Sequence, residues 1–460
     1  MIERQRPACK TVSTKAVCGP RQYSAIPSPR NRQPLYISMS DRKGGQKDHT
    51  GTGPAAAQTA FRLSPVIIWL GIVSMVTDIS SESVAAILPL YVTAFLGLST
   101  IAFGVIDGIN QGASAVVRIG AGWASDRSGH PKRVAVAGYG LSMLARIGFL
   151  FAGGFWAIAG IVTGDRIGKG IRTAPRDAMI SAVAQPDYLA RSFGVHRMLD
   201  NIGAAAGPLI AFISLMLIPN GFSTVFVVSL AFSVIGVAVL VLMVPGRSRN
   251  APPPAETSRP VFRWRQLKWS HLKEQGLARL MLTAGLLGLL TIGDGFIYLL
   301  LQSRESFALQ WFPLLYVGTN AAFLVFAIPL GRLADRFGRV RVFLAGHVAL
   351  LLSYLLAALP AAGGTAATLG CLLLLGVFYA ATDGILAALV SQRAAPARLG
   401  TALGTAQTVV ALSRMASAAG FGVLWYALGA EAAVTVVSVL LVIALGASTA
   451  LLRSVNGAAA

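Results

Sequence analysis

The sequence predicts an all-α membrane protein with twelve transmembrane helices in two six-helix halves related by pseudo-two-fold symmetry. Three observations lead there. Of 460 residues, 55% are hydrophobic and only 12% charged, where a soluble protein carries about a quarter charged; mean hydropathy is +0.65. Twelve apolar runs follow one another, each long enough for the ~20 residues that a bilayer-crossing helix needs. Two copies of one loop pattern stand 209 residues apart.

In chain order the runs fall near 65–96, 100–122, 134–152, 155–182, 193–218 and 223–245, then 278–301, 309–331, 340–360, 364–390, 400–427 and 431–452. They are continuous and rich in Leu, Ala, Val and Gly, unlike the short alternating strands of a membrane barrel. Before them, residues 1–63 hold eleven Lys or Arg against Glu3, Asp41 and Asp48. That segment is a basic tail too polar to fold alone, and no apolar stretch follows its basic residues as in a signal peptide. Met39 opens a more ordinary start, so residues 1–38 read as either a mis-assigned start or part of a disordered cytoplasmic tail. The remaining boundaries are a first half at 64–245, a linker at 246–277, a second half at 278–453 and a short tail at 454–460.

Basic residues set the orientation. Arg127, Lys132 and Arg133, then Arg191, then Arg332, Arg336, Arg339 and Arg341, then Arg393 and Arg398 fall on one set of connections. The linker adds Arg247, Arg249, Arg259, Arg263, Arg265, Lys268 and Lys273, with Arg279 just beyond it. The opposite connections, such as Gly97–Ser99, Gly153–Gly154 and Pro219–Gly221, are short and almost bare; Arg304 beside Glu305 is the exception. Both termini and the linker are therefore expected on the cytoplasmic side of the plasma membrane. Pro252–Pro254 marks a flexible join. Phe262–Trp269 interleaves aromatics with cations and reads as either an inner-leaflet segment or a solvated linker.

The halves repeat. Gly122-Trp-Ala-Ser-Asp126-Arg127-Ser-Gly129 is echoed by Gly331-Arg-Leu-Ala-Asp335-Arg336-Phe-Gly338, each between the second and third spans of its half. Asp78 and Asp294 fall 216 residues apart in the first span of each half, and Asp177 and Asp383 fall 206 apart. Similar offsets at three places indicate a duplicated six-span unit, a common transporter plan. Twelve spans, a 6+6 repeat and paired G-x-x-x-D-R-x-G loops resemble the major facilitator superfamily of secondary transporters over about residues 64–453. The Asp of each loop can cap the next helix or pair with a loop Arg, and the Gly permits a tight turn. The resemblance implies that Asp126, Arg127, Asp335 and Arg336 act in conformational switching rather than in substrate contact.

Further motifs are similar to those of drug:proton antiporters in that superfamily. Arg166-Ile-Gly-Lys169-Gly170 looks like R-x-x-Q-G, with Lys in place of Gln. Gly203-Ala-Ala-Ala-Gly207-Pro208 looks like G-x-x-x-G-P, whose small residues let helices approach and whose Pro bends the helix. Asp78 and Pro89 resemble a first-helix Asp…Pro pair. The string Asp165–Ala178 is similar to that of a group of prokaryotic permeases.

Ionisable residues inside spans cost on the order of 2.5–3.5 kcal/mol each on insertion scales, so each needs a reason. Asp78 and Glu82 lie one turn apart on one helical face. Two carboxylates so placed repel when both are ionised, and one that loads and releases a proton can couple transport to a gradient. Asp78 is the expected proton site, Glu82 a second proton or substrate group, and Arg166 their expected partner; the alternative is a buried structural pair. Asp165, Lys169, Arg172 and Arg176 share one stripe of the fourth span. If Asp165 pairs with Lys169, Arg172 and Arg176 remain as cations suited to a carboxylate or phosphate, unless Pro175 ends the helix and leaves Arg176 a surface anchor. Asp107, Asn110 and Gln111 are candidate cavity residues of the second span. His196 reads as a polar rim residue, Arg197 and Asp200 as a pair across one turn, and Arg118 and Arg146 as partners of acids on neighbouring helices. The second half offers Asp294, Asp383, Gln407 and Arg414 but is otherwise poor in charge. It is expected to make mainly apolar substrate contacts through Phe296, Tyr298, Trp311 and Tyr316.

Several classes are disfavoured. Gly164–Gly170 is one residue short of a P-loop and lacks its Ser or Thr, and there is no H-E-x-x-H or G-x-S-x-G. Three cysteines, Cys9, Cys18 and Cys371, make no disulfide or zinc framework, and five scattered histidines make no metal site. The net charge of +21 lies between apolar runs, so it orients a membrane protein rather than binding nucleic acid. No enzyme activity, cofactor or metal is expected. The expectation is a monomeric secondary transporter in the lipid bilayer, working by alternating access on a small-molecule substrate. Its first reading is proton-coupled export of a small organic compound, with the cationic stripe favouring an anion. Proton symport or facilitated uptake of an organic anion is the second reading, and a non-transporting sensor or scaffold the third.

Overall fold

The computed structural model describes residues 63–128, 130–185, 188–246, 276–358, 364–394 and 399–456. The expected basic tail lies outside them except for Leu63, as does the expected linker except for Gly246, Gly276 and Leu277. Every described helix falls on an expected run: α1 (Pro65–Leu90), α2 (Thr100–Ser128), α3 (Pro131–Phe149), α4 (Phe155–Val183), α5 (Leu189–Leu217), α6 (Phe222–Met243), α7 (Leu277–Leu289), α8 (Asp294–Glu305), α9 (Pro313–Phe337), α10 (Arg339–Ala358), α11 (Thr365–Arg393), α12 (Leu399–Leu428) and α13 (Ala430–Asn456). α7 and α8 share one run, so thirteen helices make twelve spans. Among the described residues, nine spans are long and apolar enough to qualify for a membrane by those criteria alone. The three that fall short, α2, α3 and α4, carry most of the buried charges of the first half, with Asp78 on α1 the exception.

Prolines open α1, α3 and α9, where the missing N–H is no loss. Pro89 lies near the end of α1, and the chain passes there into a single π-helical turn, Tyr91–Phe95; a ring that cannot donate a hydrogen bond favours this wider turn. The duplication shows in the backbone itself. Gly154 (φ 92°, ψ 168°) precedes α4, and Gly364 (φ 97°, ψ 168°) precedes α11, the matching helix of the second half. Both hold a left-handed φ that favours glycine.

Packing repeats in the same way. In the first half α1 packs on α5 and α6, α2 on α4, and α3 on α4 and α6; in the second, α7 packs on α12 and α13, α9 on α11, and α10 on α11 and α13. Between halves α2 meets α12 and α5 meets α9, one relation used twice under a pseudo-two-fold axis. The α2–α12 seam is tight enough to need glycine: a Cβ on Gly104 would lie 2.6 Å from the Ala418 carbonyl oxygen and 3.0 Å from the Gly422 Cα. Next to this seam the rings of Phe103, Phe296, Phe421 and Trp425 stack edge-on or tilted, with centroids 4.7–5.9 Å apart, and join the two halves.

The expected seventh run is broken at 290–293. Inside an apolar bundle the exposed peptide groups need partners, and side chains supply them. The Ile292 N–H donates to Tyr354 Oη at 2.7 Å, Tyr354 Oη donates to the Leu290 carbonyl at 3.3 Å, and Ser417 Oγ donates to the Thr291 carbonyl at 2.9 Å. The break places Asp294 in the first turn of α8, where a carboxylate interacts favourably with the helix dipole.

Candidate functional site

A cavity of about 370 Å³ lies between the halves. The first half lines it with Glu82, Pro89, Phe103, Asp107, Asn110, Gln111 and Arg166; the second contributes Asp294, Tyr298, Tyr316, Asn320, Phe323, Tyr379 and Asp383. Tyr379 Oη donates to Asp294 Oδ1 at 2.7 Å, and Tyr298 Oη donates to Thr319 Oγ1 at 2.7 Å. Asp107 is buried, and its Oδ2 packs against Gly293 without a hydrogen-bond partner.

Behind the first-half wall lies a charge network built by close helix packing. A Cβ on Gly168 would lie 2.7 Å from the Gly138 carbonyl oxygen, and one on Gly138 would lie 2.8 Å from the Gly168 carbonyl oxygen, so α3 and α4 touch through glycine. That approach brings Arg146 of α3 to Asp165 of α4 at 2.9 Å, and Arg146 also donates to Ser80 Oγ and Ser81 Oγ. Asp165 accepts from Arg166 at 3.0 Å through its other oxygen. One turn on, Lys169 Nζ stands 3.9 Å from Asp78 Oδ1 and 3.7 Å from Glu82 Oε1. Arg172 reaches Asp78 at 3.4 Å, with its guanidinium 4.6 Å from the centre of the Tyr139 ring. Arg176 reaches Ser74, Asp177 and Asp200 at 3.0, 3.1 and 3.7 Å. On α5, Gly207 sits against α1, where an added Cβ would be 2.8 Å from Glu82 Cβ, and Gly203 abuts Met75.

These contacts revise several expectations. Arg166 lines the cavity near Glu82 but pairs with Asp165, because Asp165 has a second oxygen free and adjacent in sequence. Asp165 pairs with Arg146 and Arg166 rather than with Lys169. Arg172 and Arg176 are not spare cations: both are buried and neutralised by acids of α1, α4 and α5. Asp165, Lys169 and Arg172 are not among the residues lining the cavity. His196 is not a rim residue; it is 1% exposed and hydrogen-bonded to Ser74 at 3.1 Å. Arg118 hydrogen-bonds Gln407 across the halves and also feels the charge of Asp177 on α4, as expected. Pro175 does not end α4, which continues to Val183. The second-half wall is mixed rather than mainly apolar: Tyr298 and Tyr316 line the cavity as expected, beside Asp294, Tyr379, Asp383 and Asn320, while Phe296 is packed in the ring cluster and Trp311 is partly exposed. Arg197 does stand 3.5 Å from Asp200.

Of the loop motifs, Gly129 and the side chains of Asp126 and Arg127 lie outside what is described, and Gly122 falls within α2. In the second copy, Asp335 takes the loop-arginine option, accepting from Arg339 at 2.9 Å, and Gly338 holds φ 99° at the corner between α9 and α10. Arg336 lies over the Phe337 ring, and Gly331 has open space where a Cβ would be. Pro208 is accommodated within α5. Arg146 meets an acid of a neighbouring helix, Asp165, as expected, whereas nothing in the sequence singles out Tyr379.

The described geometry agrees with comparisons to known proteins. The sequence matches the Major Facilitator Superfamily profile over residues 70–418 and again over 308–456. An uncharacterized MFS-type transporter of Methanocaldococcus jannaschii is 28% identical over 374 residues, covering 79% of this chain and 89% of that one. An uncharacterized Mycobacterium tuberculosis protein is 27% identical, covering 82% and 85%. Among solved structures, the nucleoside transporter NupG aligns with a TM-score of 0.69 at 15% identity, covering 85% of this chain and all of that one. A bacterial homologue of the human lysosomal transporter Spinster, inward-facing and occupied, aligns at 0.67 and 14%, covering 85% and 96%. The chain belongs to the Major Facilitator Superfamily and is a multi-pass membrane transporter.

Proposed function

We propose that this transporter exports a small organic compound in exchange for protons, by alternating access of the central cavity. The observation that carries the reading is the Asp78–Lys169–Glu82 relay. One ammonium stands between a buried carboxylate on α1 and a carboxylate on the cavity wall. A proton on Asp78 removes the charge that holds Arg172 and Lys169 and leaves Lys169 to Glu82. Loss of that proton draws Lys169 back and frees Glu82 toward the cavity. Proton occupancy at Asp78 thus biases which groups the cavity presents, and differential contacts of this kind are what shift a two-state equilibrium. The two six-helix halves, 64–245 and 278–453, rock about the α2–α12 and α5–α9 seams. We assign both termini and the linker to the cytoplasmic side of a prokaryotic plasma membrane, and the working unit to a monomer.

The test uses everted membrane vesicles energised to an acid interior, with the pH gradient read by a fluorescent probe. A panel of organic cations, neutral compounds and organic anions is added to vesicles carrying the native protein or Asp78→Asn. Proton release by a compound in native vesicles, absent in the variant, is the expected result. Equal release in Asp78→Asn vesicles would overturn the relay. Accumulation of a compound together with protons would replace export with symport.

A further inference from the structure

We propose that the cavity is a site for an organic cation, an ammonium group carried on an aromatic or apolar body; this rests on the reading of the cavity as the transport site and names its substrate class. Charge on the wall comes first. Glu82, Asp107, Asp294 and Asp383 all line the cavity, and Arg166 is the one basic residue among the described lining residues. Its Nη2 is held by Asp165, behind the wall, while its buried Nε has no hydrogen-bond partner in the protein. The cations of α4 that favoured an anion are spent on Asp78, Asp177 and Asp200. Four carboxylates against one guanidinium leave the described lining net negative, and like-charge juxtaposition is how a site rejects an anion.

The acids alone do not define a site; Asp107 does. It lines the cavity, is 9% exposed, and its Oδ2 has no hydrogen-bond partner in the protein. A buried carboxylate oxygen left unpaired is costly, and a cationic N–H or a quaternary ammonium beside it removes that cost. Asp294 sits across the seam in the first turn of α8, its Oδ1 oriented by Tyr379. A cation between Asp107 of one half and Asp294 of the other bridges the halves, so its binding is tied to their closure. The rings of Tyr298 and Tyr316 stand edge to face, with centroids 4.6 Å apart. Together with Phe323 they offer π-faces and apolar surface for the ligand body. A volume of about 370 Å³ is in the range of small-molecule pockets.

Equilibrium dialysis of the purified full-length protein in detergent tests this with two probes of nearly equal shape, benzyltrimethylammonium and phenylmethanesulfonate. The native protein is expected to bind the ammonium saturably and the sulfonate at least tenfold more weakly. Asp107→Asn and Asp294→Asn are each expected to weaken the ammonium tenfold or more, with gel filtration confirming a folded protein. Sulfonate binding equal to or tighter than ammonium, no saturable ammonium binding, or unchanged affinity in both folded variants would overturn the proposal. If either variant fails to fold, the comparison of the two probes on the native protein decides. No gradient exists in dialysis, so failure of proton coupling and failure of cation recognition are read separately.

Discussion

Lys169 Nζ stands 3.7 Å from Glu82 and 3.9 Å from Asp78, a single ammonium shared by two carboxylates one turn apart on α1. The i, i+4 spacing makes the sharing possible, and α4 delivers the ammonium because glycine contacts seat it against α2 and α3. Its side chain is 31% exposed, so it can change partner without crossing a dry interior, whereas Arg172, 4% exposed and stacked on Tyr139, cannot.

Lys169→Gln therefore separates coupling from binding. Glutamine keeps a donor near Glu82 but carries no charge to follow the proton on Asp78. Proton-driven flux is expected to fall at least tenfold, while substrate binding measured without a gradient stays within about threefold. Vesicle flux and equilibrium dialysis on the same variant check the two halves of this statement. Equal loss in both would make Lys169 a binding residue.

Arg146 and Asp165 form the most enclosed ion pair described, with side chains 3% and 4% exposed. Removing one partner of such a pair leaves a buried charge uncompensated, which costs about 3–5 kcal/mol, whereas replacing both together is far milder. Arg146→Met is expected to lower the thermal unfolding midpoint in detergent strongly, and Arg146→Met with Asp165→Leu to recover much of it. Arg166 keeps part of the Asp165 charge satisfied, so the single loss should fall in the lower part of that range. A double variant no better than the single would contradict the pairing.

Much of this arrangement was legible in the sequence, and the reason for what was not is physical. Spans, halves and loop repeats follow from hydropathy and from matched motifs, because a bilayer forces every crossing segment to be long and apolar. The break at 290–293 was hidden, since Thr291 and Ile292 are as apolar as a helix requires and the residues that satisfy the break, Tyr354 and Ser417, come from distant spans. Partner choice among charges is hidden from the sequence for the same reason. On one helix Asp165 and Lys169 look like a pair, yet α1 and α3 bring Asp78, Glu82 and Arg146 closer. The polar face of the second half was understated because Asp294, Asn320 and Asp383 are far apart in sequence and converge only when α8, α9 and α11 surround one cavity.

Tyr354 offers a test of the break itself. Its hydroxyl accepts from the Ile292 N–H and donates to the Leu290 carbonyl. Tyr354→Phe leaves both backbone groups without that partner, at a cost of about 1–3 kcal/mol for each buried group that finds no replacement. The unfolding midpoint should fall, and flux should fall with it because α8 carries Asp294. An unchanged midpoint would show that the opened turn is satisfied otherwise.

Two glycines on α4 give the last prediction, an internal control for the packing argument. A Cβ on Gly168 would lie 2.6 Å from Ser142 Oγ, 2.7 Å from the Gly138 carbonyl oxygen and 2.9 Å from the Ser142 nitrogen, so α3 must move away to admit it. Around Gly164, one turn earlier, an added Cβ meets nothing within 4 Å. Alanine is the better helix former by about 0.8–1.0 kcal/mol, so propensity favours both substitutions equally and only packing distinguishes them. Gly164→Ala should leave expression and flux intact and raise the unfolding midpoint slightly. Gly168→Ala should lower the midpoint and cut flux severely, because Lys169 and Arg172 are carried with the displaced helix. Comparable behaviour of the two variants would mean that the α3–α4 contact does not set the position of the Asp78–Lys169–Glu82 relay.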